Sequence, residues 1–403
     1  MSAQRIVIIG GGHAAAQLCA SLAEQRFEGS IALVSDEASL PYHRPPLSKA
    51  FIKDASTSLQ LLRGESAYRD ANVALHLGDS AIAIDRSNRS VTLRSGLTLP
   101  YDTLVIATGA RARALPASFG HMLVLRNAAD ALQVREQLAA APGLTVVGSG
   151  YIGLELAASA RLLGKSVLVL EAAERVLARS SSPEISRHVH DRHVAGGARI
   201  MLGVQPEALA EELAQARARG DLVVAGIGAE PEVTLAASAG LDCGSDRTTG
   251  ILVDACMRSI DDEAIHAIGD CANFPDAQGT RRRIESVQNA NDQARCVAES
   301  IASGQPRAYA AVHWFWSEQG SMRLQTAGLV QAASERYTRP GRSEAEFSIL
   351  HYVDGRLCAV ESMNAAADHM AARKLLEQGH SPAPHEATRP EAPLKSFIQP
   401  AAP

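Results

Sequence analysis

Ile6-Val7-Ile8-Ile9-Gly10-Gly11-Gly12-His13-Ala14-Ala15 and Leu144-Thr145-Val146-Val147-Gly148-Ser149-Gly150-Tyr151-Ile152-Gly153 are two copies of one pattern. Gly148 stands 138 residues after Gly10. Each copy is an apolar run that reads as a buried strand, followed by a glycine turn and a helix start. In such a unit the first glycine permits the tight turn. The second lets the main chain approach a pyrophosphate seated on the helix N-terminus, and the third position, Ala15 or Gly153, must be small so that helix and strand pack closely. One match is weak evidence. Two in one chain, each in a strand–turn–helix context, indicate two dinucleotides and therefore electron transfer between them.

The 403 residues suffice for two or three domains with substantial cores, and an apolar content of 46% places the chain among globular proteins. A net charge of −5 argues against a nucleic-acid partner. Met1 to Arg5 lead directly into the first strand, which reads as a chain without a signal peptide. No apolar stretch is long enough to span a bilayer, so no membrane association is expected. Cys19, Cys243, Cys256, Cys271, Cys296 and Cys358 are scattered with no CxxC pair. That spacing predicts neither a disulfide framework nor a metal site, and it suits a reducing cytoplasm.

Strand and helix patterns alternate, which predicts α/β domains with parallel sheets. A first nucleotide-binding segment covers 1–114, with a helix over about 14–23, a second strand at Ile31-Ala32-Leu33-Val34, and a closing run Leu104-Val105-Ile106-Ala107-Thr108-Gly109. Residues 115–240 form a second complete unit. The run Ala264-Ile265-His266-Ala267-Ile268-Gly269-Asp270 reads as a strand returning to the first domain, so 241–305 is its second part and the 115–240 unit is an insertion. From 306 to 403 the pattern changes. Phe347–Tyr352 and Arg356–Glu361 read as a hairpin turned at Asp354-Gly355, and Ala365–Gln378 as a helix ending at Gly379. Residues 381–403 carry six prolines and read as an extended tail. Residues 206–219, rich in helix formers, read as a helix.

The acid that closes the second strand of each unit selects the ribose. Glu171 follows Val167-Leu168-Val169-Leu170 and lies 21 residues after Gly150. A carboxylate there accepts hydrogen bonds from adenosine ribose hydroxyls and repels a 2′-phosphate. Two unit charges at about 4 Å interact by roughly 4 kcal/mol at an effective dielectric near 20, enough to favour NADH over NADPH. The bland alternative is a surface glutamate at a strand end. In the first unit Ser35 holds the equivalent place, so Asp36 is the candidate, against a plain solvated turn. Asp270 reads either as a ligand for a cofactor hydroxyl in a sheet crevice or as the N-cap of a following helix.

Pro41-Tyr42-His43-Arg44-Pro45-Pro46-Leu47-Ser48-Lys49 resembles the flavin loop of the ferredoxin reductases of bacterial oxygenase systems. Thr108-Gly109, Tyr151-Ile152-Gly153-Leu154-Glu155, Gly226-Ile227-Gly228, Gly269-Asp270, Ile284-Glu285-Ser286-Val287, Trp314-Phe315-Trp316-Ser317-Glu318-Gln319 and Pro393-Leu394-Lys395 extend the likeness, in order, over nearly the whole chain. The resemblance implies two Rossmann-like nucleotide-binding domains of glutathione-reductase-like flavoprotein architecture and a C-terminal α+β interface domain. It implies FAD in the first domain and NADH in the second, with hydride passing to the flavin and single electrons leaving for a two-iron ferredoxin. The terminal acceptor is then an aromatic-ring dioxygenase or a haem mono-oxygenase, and the protein a cytoplasmic monomer or homodimer.

The resemblance also implies roles. Gly10, Gly12, Ala14 and Ala15 lie against the FAD pyrophosphate and Asp36 on its ribose. Thr108, Gly109, Arg44, Pro46, Arg126 and Gly269 belong to the same cofactor site. His13 sits in the first phosphate loop without acting as a ligand. Ala81 touches the adenine, Asp270 holds the ribityl chain and Val287 approaches the ring. Lys49 lies beside the reactive edge of the isoalloxazine and pairs with Glu155. Glu285 receives the nicotinamide, and Trp316 lies near the flavin on the side where a partner docks. Gly148, Gly150, Tyr151, Ile152, Gly153, Glu171 and Gly228 hold NADH. Plain surface or core positions are the competing readings for Lys49, Glu155, Glu285 and Trp316.

Disulfide-reducing relatives of this architecture carry a redox cysteine pair where Pro45 to Lys49 stand here. No cysteine lies between Cys19 and Cys243, so a dithiol mechanism is not expected. Rival readings are a rubredoxin or monodehydroascorbate reductase on the same scaffold, and a flavoprotein that senses NADH and acts through protein partners. Arg281-Arg282-Arg283 is the densest basic run and the expected docking patch for an acidic ferredoxin.

Overall fold

The computed structural model describes residues 4–246, 248–331 and 334–399. The chain divides into two compact units. The first comprises 1–43, 59–111 and 229–311, and the second 44–58, 112–228 and 312–403.

In the first unit Arg5–Ile9 is buried from Ile6 onward and lies inside a six-stranded sheet. The strand order is Arg258–Ser259, Asp262–Ala267, Thr103–Ile106, Arg5–Ile9, Ser30–Ser35, Val73–Leu77. All neighbours are parallel except the short Arg258–Ser259 edge. Near-continuous Ile, Val and Leu runs suit strands covered on both faces. Asp262–Ala267 pairs with Thr103–Ile106, so the late segment does return to the first sheet. Helices His13–Glu24 and Val287–Ser303 pack together. Their buried positions include Ala14, Ala15, Ala290, Ala294 and Ala298, small side chains that let the two backbones approach.

The second unit holds a four-stranded parallel sheet ordered Arg199–Met201, Ser166–Leu170, Gly143–Val147, Leu222–Ala225. The helix read over 206–219 is present as Pro206–Arg219, with Pro at its first position and Gly220 in the left-handed conformation at its end. The same unit carries a five-stranded antiparallel sheet, Trp314–Gln319, Met322–Gly328, Arg356–Met363, Glu346–Val353, Glu335–Ser343. Asp354 and Gly355, with φ of 50° and 71°, make the expected hairpin turn, and the helix Ala366–Glu377 follows.

One expectation is corrected, and one of two open readings is removed. Residues 381–399 are not an extended tail. Pro384 opens the short helix Pro384–Ala387, Pro393 precedes the turn Leu394–Phe397, and Ala387 and Leu394 are buried in one cluster with Leu350, Val360 and Leu375. Arg339, 5% exposed, donates to the carbonyls of Ala387, Arg389 and Ala392 and pairs with Asp368 at 3.1 Å. A single buried arginine therefore ties three main-chain carbonyls of this segment to strand Glu335–Ser343. Residues 400–403 of that segment lie outside the described residues. Asp270, in turn, opens no helix: it sits in the single turn Gly269–Cys271, which passes into strand Ala272–Pro275. Among the described residues, no helix is long and apolar enough to cross a membrane.

Candidate active site

The two glycine turns are built alike. Gly10 has φ 127°, donates to Val34 O at 2.8 Å, and a Cβ there would stand 2.2 Å from Ala107 O. Gly148 has φ 97°, donates to Leu170 O at 2.7 Å, and its Cβ would stand 2.5 Å from Gly226 O. Only glycine meets both demands at either place. The second glycines differ from the first. A Cβ on Gly12 would meet nothing within 4 Å, and one on Gly150 only Gly226 O at 3.8 Å. Those spaces are open at the N-termini of His13–Glu24 and Tyr151–Leu162, where unsatisfied N–H groups attract a phosphate. Ala15 is fully buried, and a Cβ on Gly153 would lie 2.4 Å from Gly148 O, so the small third position is required in both copies. The residues present fit a dinucleotide pyrophosphate at each turn.

Around the first turn several expected positions converge. A Cβ on Gly269 would lie 3.4 Å from the Ala14 Cβ and 3.7 Å from that of Ala290, which brings the Gly269-Asp270 turn to the first helix and to the opening of the helix that begins at Val287. Gln293, wholly buried, accepts from Gly269 N at 2.7 Å and holds this turn. Nothing in its local sequence marks it. His13 is buried edge-on against His43, 5.8 Å between ring centres. Thr108 Oγ1 donates to Glu232 O at 2.6 Å, and Gly109 O accepts from Glu232 N, so this pair anchors 229–233. Ser35 is buried at the strand end and Asp36 is exposed beside it. Gly78 N and Asp79 N donate to Glu37 O and Ser35 O, which carries the chain toward Ala81 alongside Asp36.

Arg281, Arg282 and Arg283 each have an internal acceptor. Arg281 donates to Val253 O and Asn273 O, Arg282 pairs with Asp276 at 2.9 Å, and Arg283 donates to Asp270 O and pairs with Glu285 at 2.6 Å. The first role of this run is to brace the loop that carries Glu285.

In the second unit Glu171 closes its strand as expected. One carboxylate oxygen accepts from Ser149 N at 2.7 Å and Ser149 Oγ at 2.6 Å, and the other from Ala173 N at 2.8 Å. Tyr151 turns its ring onto Phe315, 4.4 Å between centres, and its hydroxyl meets Ser181 Oγ at 3.1 Å. Ile152 is 45% exposed one residue further on. Gly228, with φ 107°, has the exposed Arg179 guanidinium beside it: a Cβ there would lie 3.0 Å from an Arg179 nitrogen.

The same unit brings Lys49 and Glu155 together across 106 residues. Lys49 Nζ lies 2.6 Å from Glu155 Oε2 and also donates to Pro45 O at 3.1 Å. Ser48 Oγ donates to the same carboxylate oxygen, and Ser317 Oγ to the other at 2.7 Å. The carboxylate is 3% exposed and carries three donors, the arrangement that makes a buried charge tolerable. Pro45 and Pro46 open the turn Pro45–Ser48, which fixes the approach of Lys49. Arg44 donates to Arg126 O at 3.1 Å, and Arg126 N is held by Asp130 at the start of helix Ala128–Ala140. Trp316 is half-buried, opposite Gln325 in the sheet and 5.8 Å from Trp314.

A family model described as pyridine nucleotide-disulphide oxidoreductase matches residues 4–294, and a model described as reductase C-terminal matches 314–398. The chain belongs to the pyridine nucleotide-disulphide oxidoreductase family and is an oxidoreductase. It is 39% identical over 409 residues to the rhodocoxin reductase of Rhodococcus erythropolis, covering 98% of this chain and 94% of that one. Among solved structures it is similar to the ferredoxin reductase for the CYP199A2 system from Rhodopseudomonas palustris, at TM-score 0.90 and 38% identity, with 98% and 100% of the two chains covered. It is also similar to the reductase in the covalent putidaredoxin reductase–putidaredoxin complex, at TM-score 0.89 and 33% identity, with 99% of each chain covered.

Proposed function

We propose that this protein is an FAD-containing, NADH-dependent ferredoxin reductase that delivers electrons, through a two-iron ferredoxin, to an aromatic-ring dioxygenase or a haem mono-oxygenase. The observation that carries the reading is a chain with two dinucleotide cradles in which a half-buried Lys49 paired with the buried Glu155, and no cysteine, stands at the flavin loop. The likeness to a reductase crystallised in covalent complex with putidaredoxin supports a protein acceptor. When bound, the flavin supplies the conversion of a two-electron hydride into single electrons.

The chain's own residues do the rest. Gly10 and Gly12 admit the FAD pyrophosphate to a helix N-terminus, while Asp36 and Asp270 take ribose and ribityl hydroxyls. Lys49 offers a fixed cation, held by Glu155, toward negative charge that develops on the cofactor; a pre-oriented charge in a dry site acts without reorganisation. Arg126, Val287, Ala81, Thr108 and Gly109 complete the FAD site, and Glu285, steered by Arg283, receives the nicotinamide. Trp316 belongs to the docking side. The segments 1–114, 115–240, 241–305 and 306–403 are the FAD domain, the inserted NADH domain, the FAD domain resumed and the interface domain.

Turnover tests the acceptor. Steady-state assays should give the highest kcat/KM with two-iron ferredoxins; a higher value with rubredoxin or monodehydroascorbate would replace this acceptor with that one. The mechanism needs no thiol. Burial pushes the thiol of Cys19 up to about 12 and that of Cys271 upward, so neither is a thiolate near neutral pH. Alkylation of the accessible thiols should leave NADH-driven flavin reduction intact, and its loss would mean a cysteine takes part.

Glu171 supports NADH over NADPH. Arg175 cannot serve a 2′-phosphate, because its guanidinium is committed to Ser181 O, Ser186 Oγ and Ala178 O. Glu171→Ala with Ala172→Arg should move the ratio of specificity constants toward NADPH by about 100-fold, part of the roughly 4 kcal/mol that two charges exchange at such range. A parent enzyme that uses both cofactors equally would contradict the assignment.

A further inference from the structure

The hydrogen bonds that hold Glu155 do not stop at Ser317. Ser317 is 1% exposed, and its oxygen also accepts from Gln319 Nε2 at 3.2 Å. Gln319, 3% exposed, meets His193 Nε2 at 2.8 Å through its own Oε1. Both lie on strand Trp314–Gln319, two residues apart and therefore on one face, whereas His193 lies in helix Pro183–Ala195 and Glu155 in helix Tyr151–Leu162. The donors run one way. The amide oxygen of Gln319 can only accept, so His193 Nε2 carries the proton. The amide nitrogen can only donate, so the single proton of Ser317 is left for Glu155. Burial lowers the His193 pKa, with an upward pull from the Gln319 hydrogen bond and a further lowering by His190, which favours the neutral ring; Nε2 donates to Gln319 in either charge state.

We propose that Ser317 is a positioning residue for the redox site: oriented by Gln319 and His193, it fixes the Glu155 carboxylate from the side opposite Lys49 and so fixes the lysine ammonium. The proposal rests on reading Lys49 and Glu155 as part of that site. Were Gln319 turned over, its oxygen would draw the Ser317 proton away, and Glu155 Oε1 would keep no donor from the strand. The Trp-Phe-Trp-Ser-Glu-Gln stretch thus does more than present aromatic side chains: its two inward polar residues reach the catalytic cation through one carboxylate. The titratable and charged groups around the cluster are Lys49, Glu155, Tyr151, His193, His190 beside His193 and, through Tyr151, Glu361.

The test reads Lys49 directly in the full-length holoprotein. Lysine is labelled at Cε and Nζ, and solvent exchange of each ammonium is followed by NMR at fixed pH. Lys49→Arg identifies the Lys49 signal among those of Lys53, Lys165, Lys374 and Lys395. Ser317→Ala should speed Lys49 exchange about tenfold, the scale of one hydrogen bond to a charged group, and leave the other four lysines unchanged. Gln319→Leu should act in the same direction with a smaller factor. Unchanged Lys49 exchange in both variants overturns the proposal, as does an equal rise at every lysine, which would mean general loosening. The readout does not depend on the electron acceptor, so its failure leaves the reductase reading standing, and failure of the acceptor assays leaves this result interpretable.

Discussion

Gly12→Ala is expected to leave the thermal unfolding of the apoprotein unchanged and to weaken FAD binding by about 100-fold. Gly12 has φ −95°, a value any residue adopts, and an added Cβ would meet nothing within 4 Å. The fold therefore has no need of glycine here. The cofactor does, because a methyl group at the helix N-terminus takes the space through which the main chain approaches the pyrophosphate. Overpacking of 2–3 kcal/mol corresponds to roughly 100-fold in affinity. Gly10→Ala is the control with the opposite profile: its Cβ would fall 2.2 Å from a backbone oxygen at φ 127°, so the protein itself should lose stability. Fluorescence titration of the two apoproteins with FAD, beside their melting curves, separates the cases. An FAD affinity within threefold of the parent in Gly12→Ala would remove the cradle from this turn.

The second large effect is on stability. Glu361, wholly buried, accepts from Ser182 N with both oxygens at 3.1 Å and pairs with His351 Nε2 at 2.9 Å, while His351 Nδ1 meets Ser334 Oγ at 2.8 Å. Ser182 caps helix Pro183–Ala195, so this carboxylate also sits at the positive end of a helix dipole. Removing one member of such a pair leaves buried polar groups without partners, which costs about 3–5 kcal/mol. Glu361→Ala should therefore lower the urea midpoint followed by tryptophan fluorescence. The chain has two tryptophans, Trp314 and Trp316, both in the same sheet as Glu361. Glu361→Leu with His351→Leu should be more stable than Glu361→Leu alone, since no lone imidazole stays buried. A loss below about 1 kcal/mol in Glu361→Ala would show that the cluster is not a fastening of the C-terminal sheet.

What could be read in the chain beforehand follows from how local each signal is. The two glycine turns, the strands before them and Glu171 are legible because turn, strand and acid are separated by fixed short spacings. The hairpin at Asp354-Gly355 is legible for the same reason. Lys49–Glu155 is different: no spacing rule joins residues 106 apart, and that pairing came from likeness to a family. Gln293, Gln319, His193 and the Glu361–His351 pair carry no local spacing signal because each acts through a partner that only tertiary packing supplies. A faint signal existed for two of them. Glu361 interrupts the apolar strand Arg356–Met363, and Ser317 and Gln319 alternate behind Trp314, Phe315 and Trp316; a polar residue at a core-facing strand position asks for a partner. The proline-rich end departs from the extended chain its composition favours, because Arg339 and the cluster around Leu394 draw it onto the sheet. In the arginine run the sequence displays only charge, whereas the acceptors of Arg281, Arg282 and Arg283 come together through the fold.

The proposed reaction takes hydride from NADH and passes single electrons to a two-iron ferredoxin. Anaerobic rapid mixing of the purified yellow holoprotein, first with NADH and then with oxidised ferredoxin, measures both halves in one experiment. The expected result is one FAD per chain, fast bleaching of the flavin by NADH without added thiol, and recovery of the oxidised flavin spectrum as the ferredoxin is reduced. A long-lived charge-transfer complex with NADH, and slow reoxidation by every ferredoxin tried, would contradict it and point to a flavoprotein that senses NADH.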